Sequence, residues 1–347
     1  MCRIMNTVIK TYRHTALMYL IILTTMNTAC RESMHQVSRP QLGTIINLTI
    51  IADDTTAARA SSAAFDEIER IEKLMSPVSR EGDVWRINAS AQFSPVTVSA
   101  DTFLVFDAAQ GVSRESGGAF DVSFASLAQL WNYKSEHFIP PREGAVRSMM
   151  PLVDYRNIIL DASKRTIFFR RRGMKIGLGG IAKGYAVRRA MEILKEKGVR
   201  NAIVEEGGDL LVMGSKYGKP WVTGLRHPRE PELLMAIAMP DGESVATSGD
   251  YERFAEYKGK RYHHIIDPRT GYPAETLASV SVLCNDPMLA DVWATALFVM
   301  GRDAALKVLE KKKDISVILV DKDMSVAASR RLKENITLFV KGDICWI

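Results

Sequence analysis

Apolar and polar residues alternate along this chain with two different periods, and the two periods sort it into strands and helices. Residues 44–51 are rich in β-branched side chains and predict a strand. Over 56–75, Ala60, Ala64, Ile68 and Ile71 fall on one helical face, and Pro77 stops the helix. A polar loop is expected up to residue 88, then a short strand at 96–98 and a helix over 101–113. Residues 134–150 are rich in proline and charge and predict a surface excursion. Strands at 157–160 and 165–169 lead to a glycine cluster that opens a helix running to about 197. Further strands are expected at 201–205, 210–213, around Trp221, and at 233–238, 244–247, 261–266 and 280–284. Helices at 287–300 and 302–311 and strands at 315–320 and 336–340 complete the chain. Hairpins and helices come in runs rather than in strict β-α-β alternation, so the fold class is α+β, with mixed or antiparallel sheets and packed helices.

The 287–300 helix is the most strongly marked. Asp286 is placed to cap it, Pro287 takes the first helical position, and Gly301 lies just past its end. Almost everything between is apolar, which predicts burial on most sides. Asp291 is the exception, and a buried carboxylate must be paired, hydrogen-bonded or metal-bound. Thr295, four residues on, shares its face, and two oxygen donors one turn apart suit a hard divalent cation. The other reading is an Asp satisfied by a core arginine or by backbone donors.

The first thirty residues are not expected to belong to the fold. Arg3, Lys10 and Arg13 precede a short apolar run from Ala16 to Leu23, and the segment ends at Asn27-Thr28-Ala29-Cys30. This is the pattern of a secretory signal over 1–29, with Cys30 as the lipid-bearing residue of a lipoprotein and 30–40 as a tether. The protein is therefore expected to be exported and held to the membrane through its N-terminal lipid, facing the periplasm. Removing the leader leaves 43 basic against 40 acidic residues, about +3. That is no nucleic-acid footprint. The basic run Arg170-Arg171-Arg172 reads as the solvated end of a strand. Cys284 and Cys345 remain in the mature chain, too few for a disulfide framework. No internal repeat or linker appears, so 41–347 reads as a single domain.

Gly177-Leu178-Gly179-Gly180-Ile181-Ala182 matches a dinucleotide fingerprint, and a Rossmann oxidoreductase is a rival reading. Against it stand the mid-chain position, the preceding arginine run and the hairpin-like surroundings. In either case glycines admit a ligand close to the backbone, the helix N-terminus favours an anion, and Lys183 adds positive charge. His263 and His264 are adjacent in a strand and face opposite ways, so only one can serve a site. The turns at Glu206-Gly207-Gly208-Asp209 and Ala246-Thr247-Ser248-Gly249-Asp250 are polar and suited to ligand contacts.

Together these stretches resemble the ApbE family of FAD:protein FMN transferases. Gly179 to Ala186, Gly207-Gly208-Asp209, Ala246 to Tyr251, His264 to Gly271 and Ala290 to Ala296 carry the resemblance, in the family's order, from Leu42 to Gly301. It implies a T-fold-like architecture and a Mg²⁺-dependent reaction, with Mn²⁺ or Ca²⁺ as alternatives, in which FMN passes from FAD to a Thr or Ser hydroxyl of a target flavoprotein and AMP leaves. The implied metal ligands are Ala182, through its carbonyl, with Asp291 and Thr295. Implied FAD contacts are Leu42, Ala119, Phe120, Asp121, Lys183, His264 and Ile265. His264 is the implied base, with Asp121 and Glu206 as secondary candidates for catalysis. The implied partner carries a Ser/Thr-Gly-Ala-Thr type motif, which this chain lacks. The chain departs from the family's pattern at Leu42, Val78, Gly177 and Arg188, positions at the edges of the flavin site. An FAD pyrophosphatase and a non-catalytic FAD-binding lipoprotein are the alternatives.

Overall fold

The computed structural model describes residues 32–133, 135–340 and 342–347. The expected signal segment 1–29 and Cys30 lie outside the described residues. The main sheet has nine strands, and their order across the sheet is their order along the chain. They are β1 (Ser33–Gln41), β2 (Thr44–Ala52), β3 (Asn201–Glu206), β4 (Asp209–Met213), β5 (Ser244–Gly249), β6 (Leu277–Cys284), β7 (Ser316–Asp321), β8 (Val326–Ala328) and β9 (Ile344–Trp346). Neighbours are antiparallel throughout, except that β8 and β9 run parallel. This is an α+β arrangement and not the parallel, doubly wound sheet that the dinucleotide fingerprint would require.

The described part of the expected tether, from residue 33 on, is a strand. β1 pairs with β2 residue by residue, from Ser33 opposite Ala52 to Gln41 opposite Thr44. Leu42 and Gly43 close the hairpin with φ of 53° and 73°, the left-handed pair that a two-residue hairpin turn demands. The strand is polar because it is an edge: only alternate residues, Val37 among them, reach the core, and Pro40 is tolerated there. The polar stretch before residue 88 also departs from expectation, since Asp83–Ser90 is a helix. Its apolar side is reduced to Val84 and Ile87, too little periodicity to read, while buried Asp83 accepts from the Ser99 amide at 2.9 Å.

Three helices cover one face of the sheet: α1 (Asp54–Met75), α2 (Ala182–Glu196) and α3 (Pro287–Met300). α1 opens on Asp53, whose side chain accepts from the amides of Thr55 and Thr56, and it packs Ala60, Ala64, Phe65 and Ile68 onto β2 and α2. A three-stranded sheet (Trp221–Arg226, Leu233–Met239, Ile336–Leu338) covers the opposite face. β6 is consequently buried at every position, Ser279 and Ser281 included. α3 has the punctuation its sequence announces: Asp286 accepts from the Met288 amide at 2.9 Å, Pro287 is its first residue, and Gly301 follows at φ 77°. Trp293 and Phe298 are fully buried within it. α2 crosses α3 at Gly184 so closely that a Cβ there would stand 2.1 Å from the Pro287 carbonyl oxygen. Cys284 is buried and Cys345 exposed, and both are free thiols.

Candidate active site

The close crossing of α2 on α3 builds the site. With no side chain at Gly184, its amide reaches Asp291 and donates to Oδ2 at 3.1 Å. The neighbouring Lys183 stretches its ammonium to 3.7 Å from Asp291 Oδ1 and bonds Asp209 Oδ2. Asp209 is delivered by the turn after β3, where Gly207 and Gly208 take φ of 53° and 103°, values that favour glycine. Glu206, at the end of β3, is fully buried. Neither of its carboxyl oxygens, nor Asp209 Oδ1, has a hydrogen-bond partner among the described residues.

Three buried carboxyl groups thus surround one ammonium. Burial opposes the charge on Lys183, but Asp209, Asp291 and Glu206 outweigh it and hold the ammonium protonated. Burial raises Asp291 above the ordinary carboxylate range, against the pull of Lys183 and the Gly184 amide. It raises Glu206 further, well above its ordinary value, with Lys183 again opposing. The cluster is short of positive charge.

Thr295 lies one turn beyond Asp291, with its hydroxyl 3.2 Å from Ser248 Oγ at the end of β5. Gly180 faces it: a Cβ there would come within 3.1 Å of both Thr295 Oγ1 and the Phe120 ring. Glycine therefore keeps a slot open between Phe120 and Thr295. Ala182, the first residue of α2, sits on the same bend. Among the described residues no three side chains of His, Cys, Asp or Glu converge into a cage. Asp291, the Thr295 hydroxyl and a backbone carbonyl are nonetheless hard oxygen donors beside unpaired carboxyl oxygens. That set fits Mg²⁺, which binds through one or two carboxylates and leaves the rest of its shell to water and substrate phosphate.

The two histidines separate as strand geometry requires. His263 is buried; its Nε2 meets the Ala274 carbonyl at 2.6 Å, its Nδ1 accepts from the Ile265 amide at 3.3 Å, and its ring abuts Phe298 edge-on. Both nitrogens are occupied, so His263 is a packing residue. His264 places Nδ1 3.2 Å from the Arg253 carbonyl, which also accepts the His264 amide at 3.0 Å. A carbonyl can only accept, so Nδ1 carries the hydrogen and Nε2 keeps a lone pair. Burial, aided by the charge of Arg253, pushes the His264 pKa down to about 4. The ring borders a cavity of about 480 Å³.

The remaining expected residues have mixed placements. Ala119 and Phe120 are buried, Phe120 against the Gly180 slot, and Ile265 is buried beside His264. Leu42 sits at the hairpin tip, tied to the site through Gly43, whose carbonyl lies 3.4 Å from the Arg253 guanidinium. Asp121, a secondary catalytic candidate, is buried and takes a capping role. One oxygen accepts from the Ser123 amide and hydroxyl, the other from the Tyr155 amide at 2.7 Å, so it caps two turns. Sequence reasoning did not single out Asp209, Ser248 or Arg253 as site residues. For Asp209 the signal was the Gly-Gly-Asp turn; the Arg253 carbonyl leaves no trace in a sequence. Asp250, at the tip of the other polar turn, is held by Arg229 through two bonds of 2.7 Å and serves structure.

Comparison with known proteins gives the following. A family model described as the ApbE family matches residues 42–319. A protein of Klebsiella pneumoniae (strain 342) named FAD:protein FMN transferase is 33% identical over 304 residues, covering 86% of this chain and 94% of its own length. One of the same name from Treponema pallidum (strain Nichols) is 29% identical over 329 residues, covering 88% and 90%. The crystal structure of the ApbE protein of Thermotoga maritima superposes with a TM-score of 0.81 at 32% identity, covering 87% of this chain and 99% of that one. The flavin transferase ApbE of Vibrio cholerae superposes at 0.78 with 28% identity, covering 88% and 99%.

Proposed function

The chain belongs to the ApbE family and is a flavin-transferring enzyme, and from that premise we propose that it carries the FMN half of FAD to a Ser or Thr hydroxyl of an acceptor protein, in a Mg²⁺-dependent reaction that releases AMP. The observation that supports this most directly is the buried oxygen cluster around Lys183, short of positive charge and opening on the Gly180 slot.

The chain's own residues divide the work. The N-terminal end of α2 and the Lys183 ammonium supply positive potential for a diphosphate lying over the glycine bend. Gly180 lets that diphosphate approach the backbone between Phe120 and Thr295. His264, neutral and with Nε2 open, takes the proton of the acceptor hydroxyl. The hydroxyl oxygen then bonds to the FMN phosphorus, the bond from that phosphorus to the bridging oxygen breaks, and AMP leaves with the bridging oxygen. Mg²⁺ held by Asp291, Thr295 and the Ala182 carbonyl would neutralise the diphosphate and stabilise the leaving phosphate. Glu206, whose burial disfavours its charged form, shapes the field on Lys183 rather than acting as a base.

The test is transfer itself. FAD, Mg²⁺ and an acceptor protein bearing a Ser/Thr-Gly-Ala-Thr segment are incubated with the enzyme, and the acceptor is read for flavin fluorescence in a denaturing gel. A chelator should abolish the band. FMN found only in solution would reduce the protein to a pyrophosphatase. For the leader we propose export and lipidation at Cys30, in keeping with an acceptor in the envelope; a Cys30→Ser protein that still partitions with membranes would refute it.

A further inference from the structure

Arg188 takes no part in the chemistry above, yet it stands at the crossing on which that chemistry depends. It is one of the positions where the chain departs from the family's pattern, and it lies one helical turn along α2 from Gly184, on the same face. Its guanidinium forks. Nε meets Glu192 Oε1 at 3.1 Å on α2 itself, and Nη1 meets Oδ2 of Asp286, the cap of α3, at 3.3 Å. We infer that Arg188 is a positioning residue for the proposed ion site: by holding the cap of α3 against α2, it fixes the first turn of α3 and keeps the Asp291 carboxylate on the Gly184 amide. The inference rests on the Mg²⁺ reading of that site.

Three observations carry it. First, the two oxygens of Asp286 have separate duties. Oδ1 caps α3 through the Met288 amide at 2.9 Å, and Oδ2 takes Arg188, so one carboxylate belongs to both helices. Second, apolar packing gives way at this end of the crossing. A cavity of about 350 Å³ opens between Met191 and Lys195 of α2 and Asn285 to Pro287, with Arg188 and Asp286 in its wall. The ion pair spans the two helices where other side-chain contact is thin. Its members are 35% and 29% exposed, so water screens it only in part. Third, the α2 end of the clamp is itself braced. Glu192 also pairs with Arg189, and Arg189 reaches Glu67 of α1 at 2.9 Å. Arg70 then joins Glu67 to Asp101 through contacts of 2.8 and 2.9 Å. Ion pairs run without a break from Asp101 to Asp286, so Arg188 ties α3 to a network rather than to a single side chain.

Arg188→Gln tests this, because charge and positioning predict opposite signs. Losing a positive group near a cation site should by itself tighten Mg²⁺ binding. Losing the clamp should weaken it, raising Kd about fivefold, as expected for one partly shielded ion pair. Mg²⁺ binding is measured by calorimetry, and exchange of the Gly184 amide by hydrogen–deuterium mass spectrometry on the metal-free protein. The peptide holding Gly184 should exchange about fivefold faster in Arg188→Gln than in the wild type. Arg188→Lys keeps the charge without the fork and should fall between the two; it carries the test alone if Arg188→Gln does not fold. Arg302→Gln breaks a similarly shielded pair, with Asp321, beyond the other end of α3. It should lower Tm and move neither readout. Tighter or unchanged Mg²⁺ binding in Arg188→Gln, with Gly184 exchanging as in the wild type, would overturn the inference. So would an equal loss in Arg302→Gln, which would reduce Arg188 to general stability. A wild type that binds no Mg²⁺ would remove the metal reading, and this inference with it.

Discussion

Gly184→Ala separates the structural argument from helix propensity, because the two predict opposite signs. Gly184 is the third residue of α2. By propensity, alanine in a helix should stabilise by roughly 0.5–1 kcal/mol. The structure says otherwise. The new methyl would stand 2.1 Å from the Pro287 carbonyl oxygen and 2.8 Å from the Met288 Cα, both backbone atoms of the facing helix. α2 and α3 must move apart, at about 1–3 kcal/mol for overpacking. The Gly184 amide then loses Asp291, a charge-assisted bond of roughly 1.5–3 kcal/mol. Net of propensity, a loss of about 1.5–5.5 kcal/mol is expected, which for a chain of this size lowers Tm by roughly 2–8 °C. The same separation shifts Asp291 relative to Lys183, so Mg²⁺ affinity should fall as well. Gly179→Ala is the control, because a Cβ there meets nothing within 4 Å. Differential scanning calorimetry with Mg²⁺ titration of both variants decides the matter. If Gly184→Ala is as stable as Gly179→Ala and binds Mg²⁺ equally well, the account of the crossing is wrong.

Further outcomes are expected at the two histidines, Lys183 and Asp291. Because the His264 pKa is depressed to about 4, the ring stays unprotonated through neutral pH, and single-turnover transfer should lose rate only as pH falls through that value; an acid limb near the ordinary histidine value would show the ring to be solvated. His264→Ala should slow transfer by about 10²–10⁴-fold with FAD affinity intact. Lys183→Met leaves three buried carboxyl groups without their counter-charge and should cost about 3–5 kcal/mol at neutral pH; Mg²⁺ should raise its Tm more than it raises that of the wild type. Asp291→Ala should abolish both Mg²⁺ binding by calorimetry and Mg²⁺-dependent turnover, whereas His263→Ala should lower stability by roughly 2–4 kcal/mol and leave the acid limb where it was.

The α3 region could be read from the sequence because its signals are local. A capping aspartate, a first-turn proline, a terminal glycine and one carboxylate in an apolar run all concern a single helix, and all are present as read. β1 could not be read, because an edge strand is polar on its open side and its pairing with β2 depends on a hairpin whose first turn residue, Leu42, is not a usual left-handed residue. In the site the division is the same. Glycine clustering and the opposed histidines were visible as spacing. The ring of carboxyl groups around Lys183 was not, since Asp209 and Asp291 reach it across 26 and 108 positions of sequence. The capping role of Asp121 was not legible, because a capping aspartate and a proton-carrying one look identical until their hydrogen bonds are drawn.

A main sheet laid down in chain order gives this enzyme a timetable. Phe120 and the Gly180 bend exist early, the Glu206 turn next, then His264, and Asp291 and Thr295 last. A nascent chain halted before α3 would own His264, Lys183 and the Ala182 carbonyl but neither Asp291 nor Thr295, two of the three proposed ion ligands. The exposed 216–220 turn, lying between those early and late contributions, is therefore a natural breakpoint. Two polypeptides divided there would each be inert and would regain activity only on reassociation, which turns the strand order into the basis of a split-enzyme reporter.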